Sequence, residues 1–203
     1  MFLETKANRL NKRGWIEVVC GSMFSGKTEE LIRRIRRAQF AKQKIELFKP
    51  AMDIRYAETE MISHDATTMP STPVNNASEI LLYVSMETVE VVGIDEVQFF
   101  DEGIVGVCNQ LANAGIRVIV AGLDIDYLGN PFGPMPKLMA IAEYVSKVHA
   151  ICTHCGDLAH YSHRFVSGDK QVFLGEKEAY EPLCRHCFER MCTNKYLPVD
   201  ELK

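Results

Sequence analysis

The stretch from Trp15 to Ile35, WIEVVC followed by GSMFSGKT and then EELIRRI, constrains this chain more than any other. Trp15 to Cys20 alternates and then runs apolar, as a buried strand does. Next, Gly21-x-x-x-x-Gly26-Lys27-Thr28 has the spacing of a loop that cradles nucleoside triphosphates. Leu31, Ile35 and Ala38 recur at helical intervals, which predicts a helix over residues 27–42. Glycines let the backbone curl so that successive N–H groups point inward, and the helix N-terminus adds partial positive charge. Gly21, Ser22, Met23, Phe24, Ser25, Gly26, Lys27 and Thr28 are therefore candidate ATP-phosphate ligands. Lys27 would reach the β- and γ-phosphates, and Thr28 would offer its hydroxyl to Mg²⁺. Arg33, Arg34, Arg36 and Arg37 crowd the same helix, and we expect a solvated or subunit-facing side rather than a nucleic-acid face.

Strand and helix signals alternate beyond this point. Ile45 to Phe48 reads as a strand stopped at Pro50, and Met52 to Thr72 breaks into a polar arm or hairpin with Pro70 and Pro73 at its end. Asn76 to Met86 can form a short helix with Ser78 as a candidate cap. Val89 to Ile94 and Arg117 to Ala121 are buried strands, separated by a helix from Ile104 to Ala114 that Gly115 ends. Lys137 to Ala142 is a further helical turn. Alternation of this kind gives an α/β fold of P-loop NTPase type, a mostly parallel sheet flanked by helices.

Two carboxylates, Asp95 and Glu96, close the buried strand Val91–Ile94 and so lie on the edge of the sheet that carries the phosphate loop. Asp95 is placed to hold Mg²⁺, directly or through water. Glu96 is then the base, acting either on water, as in an ATPase, or on the hydroxyl of a bound acceptor, as in a kinase. Gln98, two residues on, is counted with the nucleotide-binding group. The loop GLDIDYLGNPFG, from Gly122 to Gly133, also begins at a strand end. Its Tyr127 and Phe132 can wall a base or simply cover the core.

Seven cysteines fit no disulfide framework. Cys20 and Cys108 suggest core packing. Cys152-Thr-His-Cys155 and Cys184-Arg-His-Cys187 have the spacing of a closed, structural, tetrahedral Zn²⁺ site, with His154 and His186 as solvated neighbours. The 28 residues between the pairs exceed a usual zinc-ribbon gap.

Taken in order, GSMFSGKT, FKPAMDIRY, SHD, DEVQFF, GLDIDYLGNPF and the two cysteine pairs resemble the type II, or cellular-type, thymidine kinase family from about residue 15 to 192. The resemblance implies transfer of the ATP γ-phosphoryl group to the 5′-hydroxyl of thymidine, and also of deoxyuridine, for deoxynucleotide salvage and DNA synthesis. By position, Glu96 matches the family's general base, and Asp53 and Arg55 match residues near the nucleotide phosphates and Mg²⁺. Met23, Leu123, Tyr127 and Phe132 fall where the family packs thymine, with Tyr127 replacing a common Phe. The long insert becomes a lasso over the nucleoside, tied by zinc, in which Ser162, Gln171, Val172, Phe173, Leu174, Gly175 and Tyr180 match thymidine contacts. Implied divisions are a leader (1–14), a kinase domain (15–150), a zinc-binding lasso (151–192) and a tail (193–203). The resemblance also implies a homotetramer and feedback inhibition by dTTP.

The competing reading is a P-loop ATPase coupled to nucleic acid through a zinc ribbon. A net charge of -4 and a pI near 5.9 weigh against a nucleic-acid backbone as main partner. No apolar run reaches bilayer length and the N-terminus lacks the apolar core of a signal peptide, so we expect a cytoplasmic protein without a membrane partner.

Overall fold

The computed structural model describes residues 13–52, 60–62, 68–165 and 179–194. The first half contains β1 (Trp15–Cys20), α1 (Lys27–Phe40), β2 (Ile45–Pro50), β3 (Glu60–Ile62), β4 (Thr68–Pro70), β5 (Thr72–Val74), α2 (Ile80–Tyr83) and β6 (Val91–Ile94). There follow α3 (Gly103–Asn113), β7 (Arg117–Gly122), α4 (Met135–Ile141), β8 (Tyr144–Lys147), β9 (Ala150–Ile151), β10 (Leu158–Ala159), β11 (Tyr161–Arg164), β12 (Tyr180–Leu183) and α5 (Arg185–Asn194).

One six-stranded sheet has the order β5-β2-β6-β7-β1-β8, with each neighbouring pair parallel. From β1 the chain travels through α1 past β7 and β6 to reach β2. From β5 onward it steps back the other way, through α2, α3 and α4. Right-handed crossovers then place α1 on one face and α2, α3 and α4 on the opposite face. The two cores follow from this. Val19 and Ile119 pack with Leu31 and Ile35 of α1, while the alternate residues Val18 and Val120 pack with Ile80, Ile104, Leu111 and Leu138. Strands covered on both faces need apolar residues at successive positions, which is what β6 and β7 supply.

The structure departs from the sequence pattern in three places. Thr72–Val74, where prolines suggested only a break, is the edge strand of the sheet; at an edge, Pro73 need not donate to a second neighbour. The helix after it starts as a 3₁₀ turn at Ala77 and is capped by Asn76, whose side chain accepts from the Glu79 N–H at 3.1 Å; Ser78 Oγ instead donates to Asn76 Oδ1. And Arg34 is not solvated. Arg33, Arg36 and Arg37 are exposed, as expected, but Arg34 turns into the sheet and is 5% exposed. In the arm, β3 and β4 form an antiparallel pair, in line with the hairpin alternative.

What draws Arg34 inward is Glu17, fully buried in the middle of β1. Glu17 Oε2 accepts from Arg34 Nη1 at 2.8 Å, and Oε1 accepts from Arg117 Nε at 2.6 Å and from Trp15 Nε1 at 2.7 Å. Arg34 also donates to Glu30 and to Ser146 Oγ, both at 2.8 Å. One carboxylate thereby joins β1, β7 and α1, and through Arg34 the edge strand β8. Replacing Glu17 by Ala strips the buried Arg117 guanidinium of this anion and leaves Arg34 with Glu30. We expect a loss of about 3–5 kcal/mol, read as a lowered denaturant midpoint at unchanged m-value.

Candidate active site and cysteine cluster

The C-terminal ends of the parallel strands converge on one edge, where the loop after β1 turns into α1. Gly21 is required there: its φ is +149°, and a Cβ would lie 2.1 Å from the carbonyl oxygen of Val148. Gly26, at φ +81°, is the helix N-cap in the left-handed region. Lys27 opens α1 and is 9% exposed, and its Nζ donates to the Ser22 carbonyl at 2.7 Å, closing the loop on itself. Burial pulls the Lys27 amine below its usual range, while the charges of Glu96, Asp95 and Asp124 act to restore it. Acidic groups that follow β6 (Asp95 and Glu96) and β7 (Asp124) thus surround the Lys27 amine.

Because α1 crosses over β7 towards β6, its first turn meets the end of β6. Thr28 Oγ1 donates to Asp95 Oδ2 at 3.0 Å. Burial, with the Glu96 charge beside it, pushes the Asp95 carboxyl up to about 7. Glu96 sits at φ +48°, a left-handed conformation unusual for a residue with a Cβ. The turn that follows returns Gln98 under it. Gln98, 3% exposed, donates from its amide to Glu96 Oε2 and accepts the Leu123 N–H at 3.0 Å. The sequence pattern counts Gln98 with the nucleotide-binding group; the structure places its amide between the acidic strand end and the loop after β7.

That loop is closed by its own hydrogen bonds. The Phe132 N–H donates to the Asp124 carbonyl and the Asp126 N–H to the Asn130 carbonyl, at 3.1 and 2.8 Å. Asp126 Oδ1 accepts from the Leu128 and Asn130 N–H groups, both at 2.9 Å, which holds Tyr127 at the tip. Phe132 is buried and meets Phe99 edge to face at 5.7 Å. Phe99, the first aromatic of DEVQFF, thereby supports Phe132 from the segment after β6.

The C-terminal unit touches the phosphate loop directly. Met23 N–H donates to Ser162 Oγ of β11 at 2.9 Å, and Phe24 packs against the core formed by Tyr161, Leu183 and Phe188. Tyr180, on β12, is also buried, opposite Arg164 in the β11–β12 register and so on the other face of that strand pair from Tyr161 and Leu183. Of the other sequence candidates, Asp53, Arg55, Gln171, Val172, Phe173, Leu174 and Gly175 lie outside the described residues, as do residues 1–12 and 195–203.

Cys152, Cys155, Cys184 and Cys187 bring four Sγ atoms within 4.8 Å of one another, with Cys155 and Cys184 at 3.6 Å. Four metal–sulfur bonds of about 2.3 Å in a tetrahedron give S–S edges of about 3.8 Å, so the donor set fits a metal ion. His154 Nε2 is turned to Glu181 at 3.1 Å and His186 is exposed, and neither belongs to the cluster. Burial pushes the Cys20 and Cys108 thiols up to about 11 and about 12, as suits thiols that only pack. Among the described residues no helix is long and apolar enough to cross a membrane.

Residues 14–188 match the family model described as thymidine kinase. A protein of Bacteroides thetaiotaomicron named thymidine kinase is 62% identical over 94% of each chain. One of Bacteroides fragilis with the same name is 60% identical over 94% of each chain. A thymidine kinase of Porphyromonas gingivalis is 61% identical over 90% of this chain and 88% of its own.

The cluster geometry predicts that Cys184→Ser binds less than one equivalent of metal by elemental analysis and melts below the parent protein, since metal binding is folding free energy in such sites. Retention of a full equivalent at an unchanged Tm would exclude a structural metal there.

Proposed function

The chain belongs to the thymidine kinase family, and from that premise we propose that it transfers the γ-phosphoryl group of ATP to the 5′-hydroxyl of thymidine, giving dTMP and ADP. The observation that carries this reading is the Gln98 bridge, which ties the Glu96 carboxylate to the loop holding Leu123, Tyr127 and Phe132. A base that served only water would need no tie to an aromatic loop. Deoxyuridine, one methyl smaller at the base, would use the same contacts and is a second substrate on this reading.

In the proposed reaction Glu96 accepts the proton of the 5′-hydroxyl as its oxygen attacks the γ-phosphorus, and ADP leaves with the bridging oxygen. Gln98 fixes one Glu96 oxygen and so limits where the carboxylate can point. Gly21 to Thr28 cradle the phosphates through backbone N–H groups, and Lys27 exchanges the Ser22 carbonyl for phosphate oxygens. Asp53 and Arg55 are assigned to the nucleotide phosphates by resemblance. Thr28 and Asp95 are the residues that would hold Mg²⁺, and a cation beside Asp95 would favour its anion against the burial that raises it. Mg²⁺, when bound with ATP, supplies neutralisation of charge on the β- and γ-phosphates.

Met23, Leu123, Tyr127, Phe132, Ser162, Tyr180 and the segment Gln171 to Gly175 form the proposed thymidine contacts. We assign the metal of the four cysteines as structural Zn²⁺, since four thiolates leave no open position. On this view residues 15–150 are the kinase domain and 151–192 a lid that excludes water and so protects ATP from hydrolysis. A cytoplasmic homotetramer inhibited by dTTP completes the proposal. The exposed face of α1, with Arg33, Arg36, Arg37 and Phe40 (88% exposed), is compatible with a subunit contact.

The deciding experiment uses labelled ATP, Mg²⁺ and each natural deoxynucleoside in turn. Labelled monophosphate should form with thymidine and deoxyuridine and hardly at all with the purine nucleosides; ATP hydrolysis without nucleoside product would overturn the proposal. Glu96→Gln should lower kcat about 100-fold or more while nucleotide titration shows ATP binding largely kept. Near-normal turnover would remove Glu96 from its role.

A further inference from the structure

Strand β11 presents different chemistry on its two faces. Tyr161 and His163 point to Phe188 of α5, the first stacked at 4.3 Å and the second edge-on at 6.2 Å. Ser162 and Arg164, on the alternate positions, point the other way, to the nucleotide side. Ser162 accepts the Met23 N–H of the phosphate loop, and the Arg164 guanidinium lies over the Tyr127 ring, its central carbon 3.7 Å from the ring centroid. Arg164 is 5% exposed, so this contact is shielded from water.

The backbone of the Tyr127 loop is fixed by the Asp126 hydrogen bonds, and its tip is close against β11: a Cβ on Gly129 would lie 3.2 Å from the Tyr161 ring. The ring of Tyr127 itself still has side-chain torsions to settle. A guanidinium lying over one face removes that freedom and occupies the face. A base can then meet Tyr127 only on its other face or its edge.

We propose that Arg164 is a positioning residue for the nucleoside, acting through Tyr127: it locks the ring as a one-sided wall of the acceptor pocket. This rests on the assignment of Tyr127 to the thymidine contacts. The preorganisation has a specific signature. A desolvated cation–π contact is worth enough that its loss should weaken thymidine binding about 10-fold or more, without touching the phosphate loop. A lysine keeps the charge but not the planar guanidinium, so it should recover only part of the effect.

The test is steady-state kinetics of four proteins, Arg164→Met, Arg164→Lys, Tyr127→Ala and the Tyr127→Ala/Arg164→Met double variant, with melting curves for each. Arg164→Met should raise the thymidine KM about 10-fold or more, with a much smaller change in the ATP KM, and Arg164→Lys should fall between it and the parent. In the Tyr127→Ala background, Arg164→Met should add little to the thymidine KM. Equal rises in both KM values, an undiminished Arg164 effect without Tyr127, or no Arg164 effect where Tyr127→Ala has one, would each overturn the proposal. A normal thymidine KM in Tyr127→Ala would overturn the assignment of that loop, and this proposal with it. Should Arg164→Met fail to fold, the comparison of Arg164→Lys with and without Tyr127 carries the same discrimination.

Discussion

Everything at the active edge depends on where α1 starts, and the interaction that holds α1 in place is the buried carboxylate of Glu17. A carboxylate in an apolar sheet is costly unless its lone pairs are matched, and here guanidinium and indole donors match them. Since the partners come from α1 and from the start of β7, the helix cannot slide along the sheet without stripping the charge of its donors. With α1 anchored through Arg34, about two turns beyond its N-terminus, the loop from Gly21 to Gly26 is pinned at both ends. A loop pinned in this way, with Lys27 closed onto the Ser22 carbonyl, keeps one backbone path.

The second constraint is topological. β7 lies between β1 and β6, so phosphate loop and acidic strand end are not neighbours in the sheet. They meet because α1 crosses in the direction of β6, bringing Thr28 to Asp95, and because Gln98 spans from β6 to the loop after β7. Met23 and Ser162 add a third link, between donor loop and C-terminal unit. The glycine-rich loop, the acidic strand end, the loop after β7 and the C-terminal unit are therefore joined by hydrogen bonds.

The legible part of the sequence was the part with a strong local period or fixed spacing. Glycine-Lys-Thr spacing, the apolar run before Asp95 and the paired cysteines each impose their geometry over a few residues, and the structure places them accordingly. Arg34, Thr72–Val74 and Asn76 were less legible for one shared reason. Whether an arginine on a helix is solvated depends on what lies beneath it; Glu17, seventeen residues away, is silent about that in sequence. Likewise Pro73 is compatible with a strand only because that strand is at an edge. Phe99 and Arg164 have no local mark in the sequence because their partners, Phe132 and Tyr127, lie on another loop.

By itself the sequence determined β1 and α1 with the glycine-Lys-Thr loop between them, the buried strands β6 and β7, the acidic pair and the metal-spaced cysteines, since these rest on backbone conformational limits and ligand spacing within short stretches. Only the tertiary structure decided which groups meet: Glu17 with Arg34 and Arg117, Glu96 with Leu123 through Gln98, and Tyr127 with Arg164. Those pairings join residues from 17 to 100 positions apart. Their energies come from burial and from donor–acceptor geometry, and neither exists until the sheet has assembled.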